Sequence, residues 1–355
     1  MRVLIADGGT GGHIFPAIAV ANELQRRKEV KAILFTGTPA GLEGGIVPKH
    51  GYELQMIHVG GLIGKSLMTR VKTLLQLPGA YFQSAKIIRE FQPSVAIGFG
   101  AYASGPVLVA AHRKKVPVLL VEPNAIPGFT NRKALHFAKK VAVSYEDSSG
   151  IFKGKAVVTG TPVRPINELP KQTSKFTVGI YCGSQGSRAI NNVVIDALPE
   201  LFAMNDTLHI IHQTGLADFE RVKSIYDSAA PSFEVKAFIH NVEEFYSSCD
   251  LLVCRAGAIT LAEITALGKA AILVPLPTAA HNHQEKNARR LAEAGAAKMF
   301  LQNEFTSRTL IDEIKSLSAN PEILDQMSVE SKHLGKPDAA EKVADLAISL
   351  AQRDA

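Results

Sequence analysis

Short runs of β-branched and other apolar residues recur along the chain. Most are followed by a Gly-rich or polar turn and then by a stretch with helical spacing. Val3–Ala6, Ala32–Thr36, Leu54–His58, Val95–Phe99, Val118–Val121 and Val141–Ser144 read as strands in the first half. Thr177–Tyr181, Leu208–His212, Glu234–Ala237, Leu251–Cys254, Ala271–Val274 and Ala297–Phe300 read as strands in the second. Most of these runs are continuously apolar rather than alternating, the pattern of parallel strands covered on both faces. Pro16–Arg27, Met68–Glu90, Ala189–Leu198, Thr260–Leu267 and Gln284–Ala294 carry helical spacing, as does Asp338–Gln352. Alternation of this kind predicts an α/β protein with doubly wound parallel sheets. Pro162, Pro165 and Pro170, set among polar residues in Thr159–Lys175, mark the expected boundary between two domains, 1–162 and 163–337.

Composition narrows this picture. A chain of 355 residues has room for two domains. With 46% hydrophobic and 20% charged residues, it is neither disordered, collagen-like nor a coiled coil. Cys182, Cys249 and Cys254 form no disulfide framework and no zinc set, so they are expected as small buried thiols in a reducing compartment. No apolar run approaches the roughly 18–20 residues of a membrane span. Met1–Ala6 passes straight into a glycine loop without the marks of a signal peptide. The expectation is a protein neither integral nor secreted. The net charge of +6 fits nucleic acid, anionic lipid or a phosphorylated substrate. The lack of tryptophan, and of any Lys/Arg run longer than three, argues against nucleic acid.

Four glycine loops follow strands. The first, Asp7-Gly8-Gly9-Thr10-Gly11-Gly12-His13, is followed by Pro16, expected near the start of a helix. Such a loop lets backbone approach a ligand closely, and the free N–H groups of a helix start favour an anion. It is not the dinucleotide fingerprint, because Ile14 occupies the last glycine position and no acid follows Ala32–Thr36. Nor is it a Walker loop, since no Gly-Lys-Ser/Thr follows. Gly98–Gly105, Gly183–Arg188 and Arg255–Glu263 repeat the strand–turn–helix logic. Each alone is also compatible with a plain tight turn. Several, divided between two domains, predict a ligand crevice at the strand ends.

Taken together these segments resemble the MurG family, the peptidoglycan N-acetylglucosaminyltransferases that convert lipid I to lipid II. The resemblance spans nearly the whole chain. Its motifs are GGTGGHIFPAIAVANEL at Gly8–Leu24, GFGAYASGPVLVAA at Gly98–Ala111, EPNAIPGFTNR at Glu122–Arg132 and GTPVR at Gly160–Arg164. GSQGSRAIN at Gly183–Asn191, CRAGAITLAEITALGKAAILVPLP at Cys254–Pro277 and HNHQEKNARRLAEAGAA at His281–Ala297 complete them. The family's His-Glu-Gln-Asn is Val121-Glu122-Pro123-Asn124 here, and one of the two glycines before Ser-Gln-Gly is Cys182.

The resemblance implies a GT-B fold, two Rossmann-like domains facing a deep cleft, with helix 338–355 packing back on the first domain. It implies UDP-N-acetylglucosamine as donor, on the C-terminal domain, and undecaprenyl-pyrophosphoryl-MurNAc-pentapeptide as acceptor, on the N-terminal one. Glu263 then matches the ribose position, where a carboxylate accepts two vicinal hydroxyls. Ala258, Ile259, Thr260, Leu261 and Ala262 line the donor, Ile239 reads uracil through its backbone, and Gln284 meets the sugar. Ser184 and Arg164 match diphosphate or sugar contacts. Thr10, Gly11, Gly12 and Asn124 match residues that meet the donor sugar from the N-terminal domain.

The chemistry implied is inverting displacement at the anomeric carbon, in which a base takes the acceptor's proton and UDP leaves. His13, with an ordinary pKa of about 6.5, is the candidate base, and Glu122 the alternative. No Asp-x-Asp motif is present, so no metal and no cofactor are expected. Lys65, Arg70, Lys72, Lys86 and Arg89 surround Leu67, Met68, Val71, Leu74, Leu75, Leu77, Tyr81 and Phe82, a pattern suited to an anionic membrane surface or to an ordinary amphipathic core helix, with Pro78-Gly79 expected to break the helix and present Leu75 and Leu77 outward. The implied location is the cytoplasmic face of the cell membrane, with other cell-wall synthesis or division proteins as further partners. The competing readings are another GT-B glycosyltransferase with a lipid or natural-product acceptor, a UDP-sugar epimerase, and a non-catalytic nucleotide-sugar binder.

Overall fold

A computed structural model describes residues 1–8, 11–39, 41–60, 67–152, 154–167, 169–171, 173–279 and 282–353. The chain divides into two compact units, Met1–Pro165 with Lys336–Ala355, and Ile166–Gly335.

Unit 1 opens with β1 (Arg2–Ala6), α1 (Gly11–Gln25), β2 (Ala32–Gly37), the single turn α2 (Glu43–Ile46) and β3 (Glu53–Met56). It continues through α3 (Leu67–Phe91), β4 (Val95–Gly98), α4 (Ser104–Arg113), β5 (Val118–Glu122), α5 (Phe129–Ala134), β6 (Lys140–Val143) and β7 (Ala156–Val158). The seven strands form one parallel sheet in the order β3-β2-β1-β4-β5-β6-β7. Successive side chains of a strand point to opposite faces, so Val3 and Ile5 enter one core while Leu4 and Ala6 enter the other.

Unit 2 holds β8 (Phe176–Tyr181), α6 (Arg188–Phe202), β9 (Leu208–Gln213), α7 (Phe219–Ala229), β10 (Glu234–Lys236), α8 (Val242–Ser248) and β11 (Leu251–Cys254). Then follow α9 (Ala258–Leu267), β12 (Ala270–Leu273), α10 (His283–Glu293), β13 (Ala297–Met299), α11 (Ser307–Ala319) and α12 (Pro321–Leu334). Its six strands are again parallel, ordered β10-β9-β8-β11-β12-β13. The last helix, α13 (Ala339–Arg353), packs Val343, Ala344, Ala347 and Leu350 into the α1 side of the unit 1 core. Arg27 joins it through Glu341 at 3.4 Å and Asp345 at 3.1 Å.

Three expectations fail locally. β7 was not anticipated, because Ala156-Val157-Val158 is too short an apolar run to stand out. α1 begins at Gly11, so Pro16 sits inside the helix and withholds the N–H that would bond the Gly12 carbonyl. α3 runs unbroken through Pro78-Gly79, giving up only the bond to the Leu74 carbonyl. The three cysteines are buried and free.

One glycine fixes the edge of the unit 2 sheet where ligands would approach. Gly186, at φ 68°, lies against the loop after β9, and a Cβ there would stand 1.9 Å from the Thr214 carbonyl oxygen. Gly186→Ala should therefore cost about 1–3 kcal/mol of stability in urea unfolding. A loss below about 0.5 kcal/mol would show that the loop relaxes freely.

Candidate functional site

In unit 2 the neighbouring strands β8 and β11 each release the chain into a helix start. Ser187 caps α6, its Oγ accepting from the Ile190 amide at 3.4 Å, and Gly257 stands at the start of α9 without a side-chain cap. The orphan amides of both first turns border a cavity of about 460 Å³ lined by Gly183, Gln185, Arg188, Gly257, Thr260 and Gln284. Arg255, also in its wall, is held by four acceptors. Its guanidinium donates to the Ser187 Oγ at 2.7 Å, Gln302 Oε1 at 2.6 Å, and the Val274 and Pro275 carbonyls at 3.0 and 3.1 Å. Burial pulls the Arg255 pKa below the usual guanidinium value. Cys182 beneath it is pushed up to about 12 by burial, with Arg255 pulling the other way, which makes it an inert thiol. Gln213 at the end of β9 donates to the Gly183 carbonyl at 2.8 Å and steadies the turn. Two converging helix starts and an anchored cation make a site for a polyanion.

Of the other residues singled out in unit 2, only Thr260 and Gln284 line this cavity, and Ile239 lines a separate one beside β10 and α8. Ala258 and Leu261 are buried, while Ile259, Thr260 and Ala262 are half-buried on α9. Gln284 on α10 accepts from the Leu276 amide at 3.0 Å. Ser184 is exposed on the turn, and Ile239 is buried between β10 and α8. Glu263 lies nearly one turn beyond Thr260 and is 5% exposed, with Oε2 accepting the Tyr246 hydroxyl at 2.9 Å. Tyr181 packs edge-on against that tyrosine.

In unit 1, Glu122 at the end of β5 is 2% exposed and accepts four N–H groups. The amide and Nδ2 of Asn124 reach Oε1 at 3.1 and 3.2 Å, while the Gly128 amide and Asn131 Nδ2 reach Oε2, both at 3.0 Å. Burial raises its pKa, and the four bonds work against the rise. The carboxylate thus shapes the loop 123–128 and orients Asn124. His13 stands half-buried in the first turn of α1, on the wall of a separate unit 1 cavity. Gly11 and Gly12 begin that helix, and Thr10 lies outside the described residues. Arg164 lies 5.8 Å from the Phe15 ring centroid.

Profiles of the glycosyltransferase family 28 N-terminal and C-terminal domains match residues 3–143 and 177–343. A Syntrophus aciditrophicus protein named UDP-N-acetylglucosamine--N-acetylmuramyl-(pentapeptide) pyrophosphoryl-undecaprenol N-acetylglucosamine transferase is 42% identical, over 99% of both chains. A Thermodesulfovibrio yellowstonii protein of the same name is also 42% identical, over 99% of this chain and 100% of its own. The crystal structure of Acinetobacter baumannii MurG superposes with a TM-score of 0.79 at 31% identity, covering 98% of this chain and 100% of that one. The chain belongs to the MurG family. Its two Rossmann-like parallel-sheet units are those of the GT-B class.

Within this MurG-family chain, α3 carries the residues expected at a membrane. Leu74, Leu75 and Phe82 are 54%, 77% and 70% exposed, and Lys86 and Arg89 are exposed further along the helix. Leu77 instead packs against the core, contrary to its expected outward position, because the helix does not break at Pro78. The Lys72 side chain and Lys65 lie outside the described residues. No helix among the described residues is long and apolar enough to cross a membrane.

Four supporting residues escaped the sequence reading. Asn131 sits inside the EPNAIPGFTNR motif, and Arg255 is a lone cation directly after a buried strand, so both left a signal. Tyr246 left none, since only the fold brings α8 to α9. Asp7, also at a strand end, is 1% exposed, and neither of its carboxylate oxygens has a full hydrogen bond among the described residues. Burial pushes it up to about 7, the Gly8 amide opposing and the Glu43 carboxylate adding to the rise. Between its ordinary 3.8 and about 7, the folded chain keeps a proton that the unfolded chain releases. Stability contributed by Asp7 is therefore fully present below about pH 4 and is lost as pH rises toward 7. Asp7→Asn should gain on the wild type in thermal melts between about pH 5 and 8, by up to about 4 kcal/mol. Parallel pH profiles for the two proteins would refute this.

Proposed function

We propose that this chain transfers N-acetylglucosamine from UDP-N-acetylglucosamine to the muramyl 4-hydroxyl of undecaprenyl-pyrophosphoryl-MurNAc-pentapeptide, giving lipid II and UDP. The similarity to transferases of that name over 99% of the chain carries the reading. The unit 2 cavity supports it, because two helix starts and Arg255 suit a nucleoside diphosphate.

The donor diphosphate lies against the amides of Ala258, Ile259 and Thr260 and the Gly183–Ser187 turn, with Ser184 and Arg164 as further contacts. Glu263 accepts the ribose hydroxyls, and the Tyr246 hydroxyl fixes its direction. The Ile239 backbone meets uracil, Leu261 and Ala262 back the nucleotide, and Gln284 meets the sugar. Thr10, Gly11, Gly12 and Asn124 contact the transferred sugar. The acceptor oxygen attacks the anomeric carbon from the face opposite UDP, so the configuration inverts. The new C–O bond forms as the bond to the β-phosphate oxygen breaks, and the N–H groups receive the developing diphosphate charge.

His13 takes the hydroxyl proton. Glu122 is the poorer base, because four N–H donors already occupy its acceptor sites and moving it would unmake the loop that holds Asn124. The enzyme docks on the cytoplasmic membrane surface through Leu74, Leu75 and Phe82 of α3, with Lys86 and Arg89 meeting anionic headgroups. Leu77 takes no part in that docking.

Incubation with UDP-N-acetylglucosamine and a lipid I analogue tests the reaction. The expected product is the disaccharide-linked lipid together with one UDP per transfer. UDP-sugar isomerisation without acceptor, or UDP binding without turnover, would overturn the reading. His13→Ala should lower kcat by about 10²-fold or more at unchanged donor binding, measured by steady-state kinetics and UDP titration. A loss below about fivefold would move the base elsewhere.

A further inference from the structure

The unit 1 cavity that His13 borders has a volume of about 910 Å³, near the top of the roughly 300–1,000 Å³ range of small-molecule sites. Gly8, His13 and Gly100 line it at the strand-end loops. From there it follows α4, past Gly105 and Pro106 in the first turn to Val109 in the next, with α3 and α5 also in its wall. Beyond the loops the wall is hydrocarbon and aromatic: Leu77 and Tyr81 from α3, Val109 from α4, and Phe129 and Phe137 from the α5 segment. A nucleotide sugar, polar along its whole length, does not match such a wall. Lys133 adds one ammonium, 5.7 Å from the Phe129 ring centroid.

The rim gives the occupant's direction. Leu74 lines the cavity and is also 54% exposed, and it adjoins Leu75 and Phe82 on the outer surface of α3. The apolar interior is therefore continuous with the exposed apolar ridge, while the opposite end reaches the candidate base. A molecule spanning both ends carries a hydroxyl at one end, an anion in reach of an ammonium, and a branched hydrocarbon chain leading outward.

We propose that this cavity binds the first isoprenyl units of the lipid-linked acceptor, with the acceptor's head group toward His13. The proposal rests on the transferase reading and adds a hydrocarbon subsite to it, so that the chain's first units leave the bilayer during the reaction. Burying several methyl and methylene groups there should favour an isoprenyl acceptor over a short-chain one by at least about tenfold.

The absence of tryptophan makes a direct test available. Phe129→Trp, at a 42% exposed aromatic position, places a single indole on the wall. Its emission should shift to the blue and saturate with farnesyl pyrophosphate, stay unmoved by inorganic pyrophosphate, and respond to oleate only at about tenfold higher concentration or more. No shift with farnesyl pyrophosphate, or an equal response to either control, overturns the proposal. The second arm compares kcat/KM for farnesyl- and methyl-chain acceptor analogues without vesicles. Val109→Trp, at a 38% exposed position, fills the cavity and should bring the ratio of the two down toward one, whereas Leu75→Glu on the outer surface should leave that ratio as in the wild type. An equal loss on both analogues in Val109→Trp, or a collapse of the ratio in Leu75→Glu, overturns it. If the wild type turns over neither analogue, the transferase reading fails, and the fluorescence arm still decides whether the cavity takes an isoprenyl chain.

Discussion

Every strand in both sheets runs the same way as its neighbours, so every strand in a unit delivers its last residue to the same edge. Parallel strands need crossovers, and here helices supply most of them, so helix starts collect at that edge too. Asp7, Glu122, Gln213 and Arg255 all stand there, and all but Gln213 directly follow an apolar run. The edge thus brings together backbone amides, helix dipoles and buried polar side chains. Gly186 belongs to the same constraint, since two loops leaving neighbouring strands touch backbone to backbone.

Burying charge at such an edge has a cost that each residue meets differently. Glu122 meets it with four donors and Arg255 with four acceptors, so both act as fixed struts. Glu263 is oriented by Tyr246 and sits on a helix that also faces the polyanion site. Asp7 has no such set of partners among the described residues, and burial carries its pKa toward neutrality against the Gly8 amide. This ordering separates residues that hold the site from residues that can change protonation during a reaction. A carboxylate whose oxygens already accept N–H groups takes a proton only by giving up one of those bonds, whatever its place in a sequence motif. For the proposed reaction, this favours Glu122 as a support and His13 as the base.

The strands were legible because burial on both faces leaves a run of consecutive apolar residues, which needs no knowledge of partners. β7 was lost for the same reason, because a three-residue edge strand has too little apolar sequence to announce itself. Helix limits were harder. Pro16 suggested a start and Pro78 a break, yet both lie inside helices whose packing outweighs one missing hydrogen bond. At the candidate site, glycine loops and isolated acids were readable because they interrupt apolar runs. The supports were less so: Tyr246 comes to Glu263 from a different helix, a relation that neither periodicity nor spacing encodes.

The continuity of α3 changes the meaning of its apolar residues. At 3.6 residues per turn each step rotates by roughly 100°, so Leu75 and Leu77 lie about 200° apart, on nearly opposite sides of an unbroken helix. A break at Pro78-Gly79 would have let both face outward as one patch. Unbroken, the helix presents Leu75 and Phe82 to the exterior and turns Leu77 and Tyr81 to the cavity, with Leu74 at the rim between them. One helix therefore bounds two apolar environments, an exposed ridge suited to a bilayer and a half-open slot that begins beside His13. A chain with no membrane-crossing helix among its described residues can then receive a lipid-linked substrate by moving hydrocarbon from one environment to the other, with no step in which that hydrocarbon must cross water.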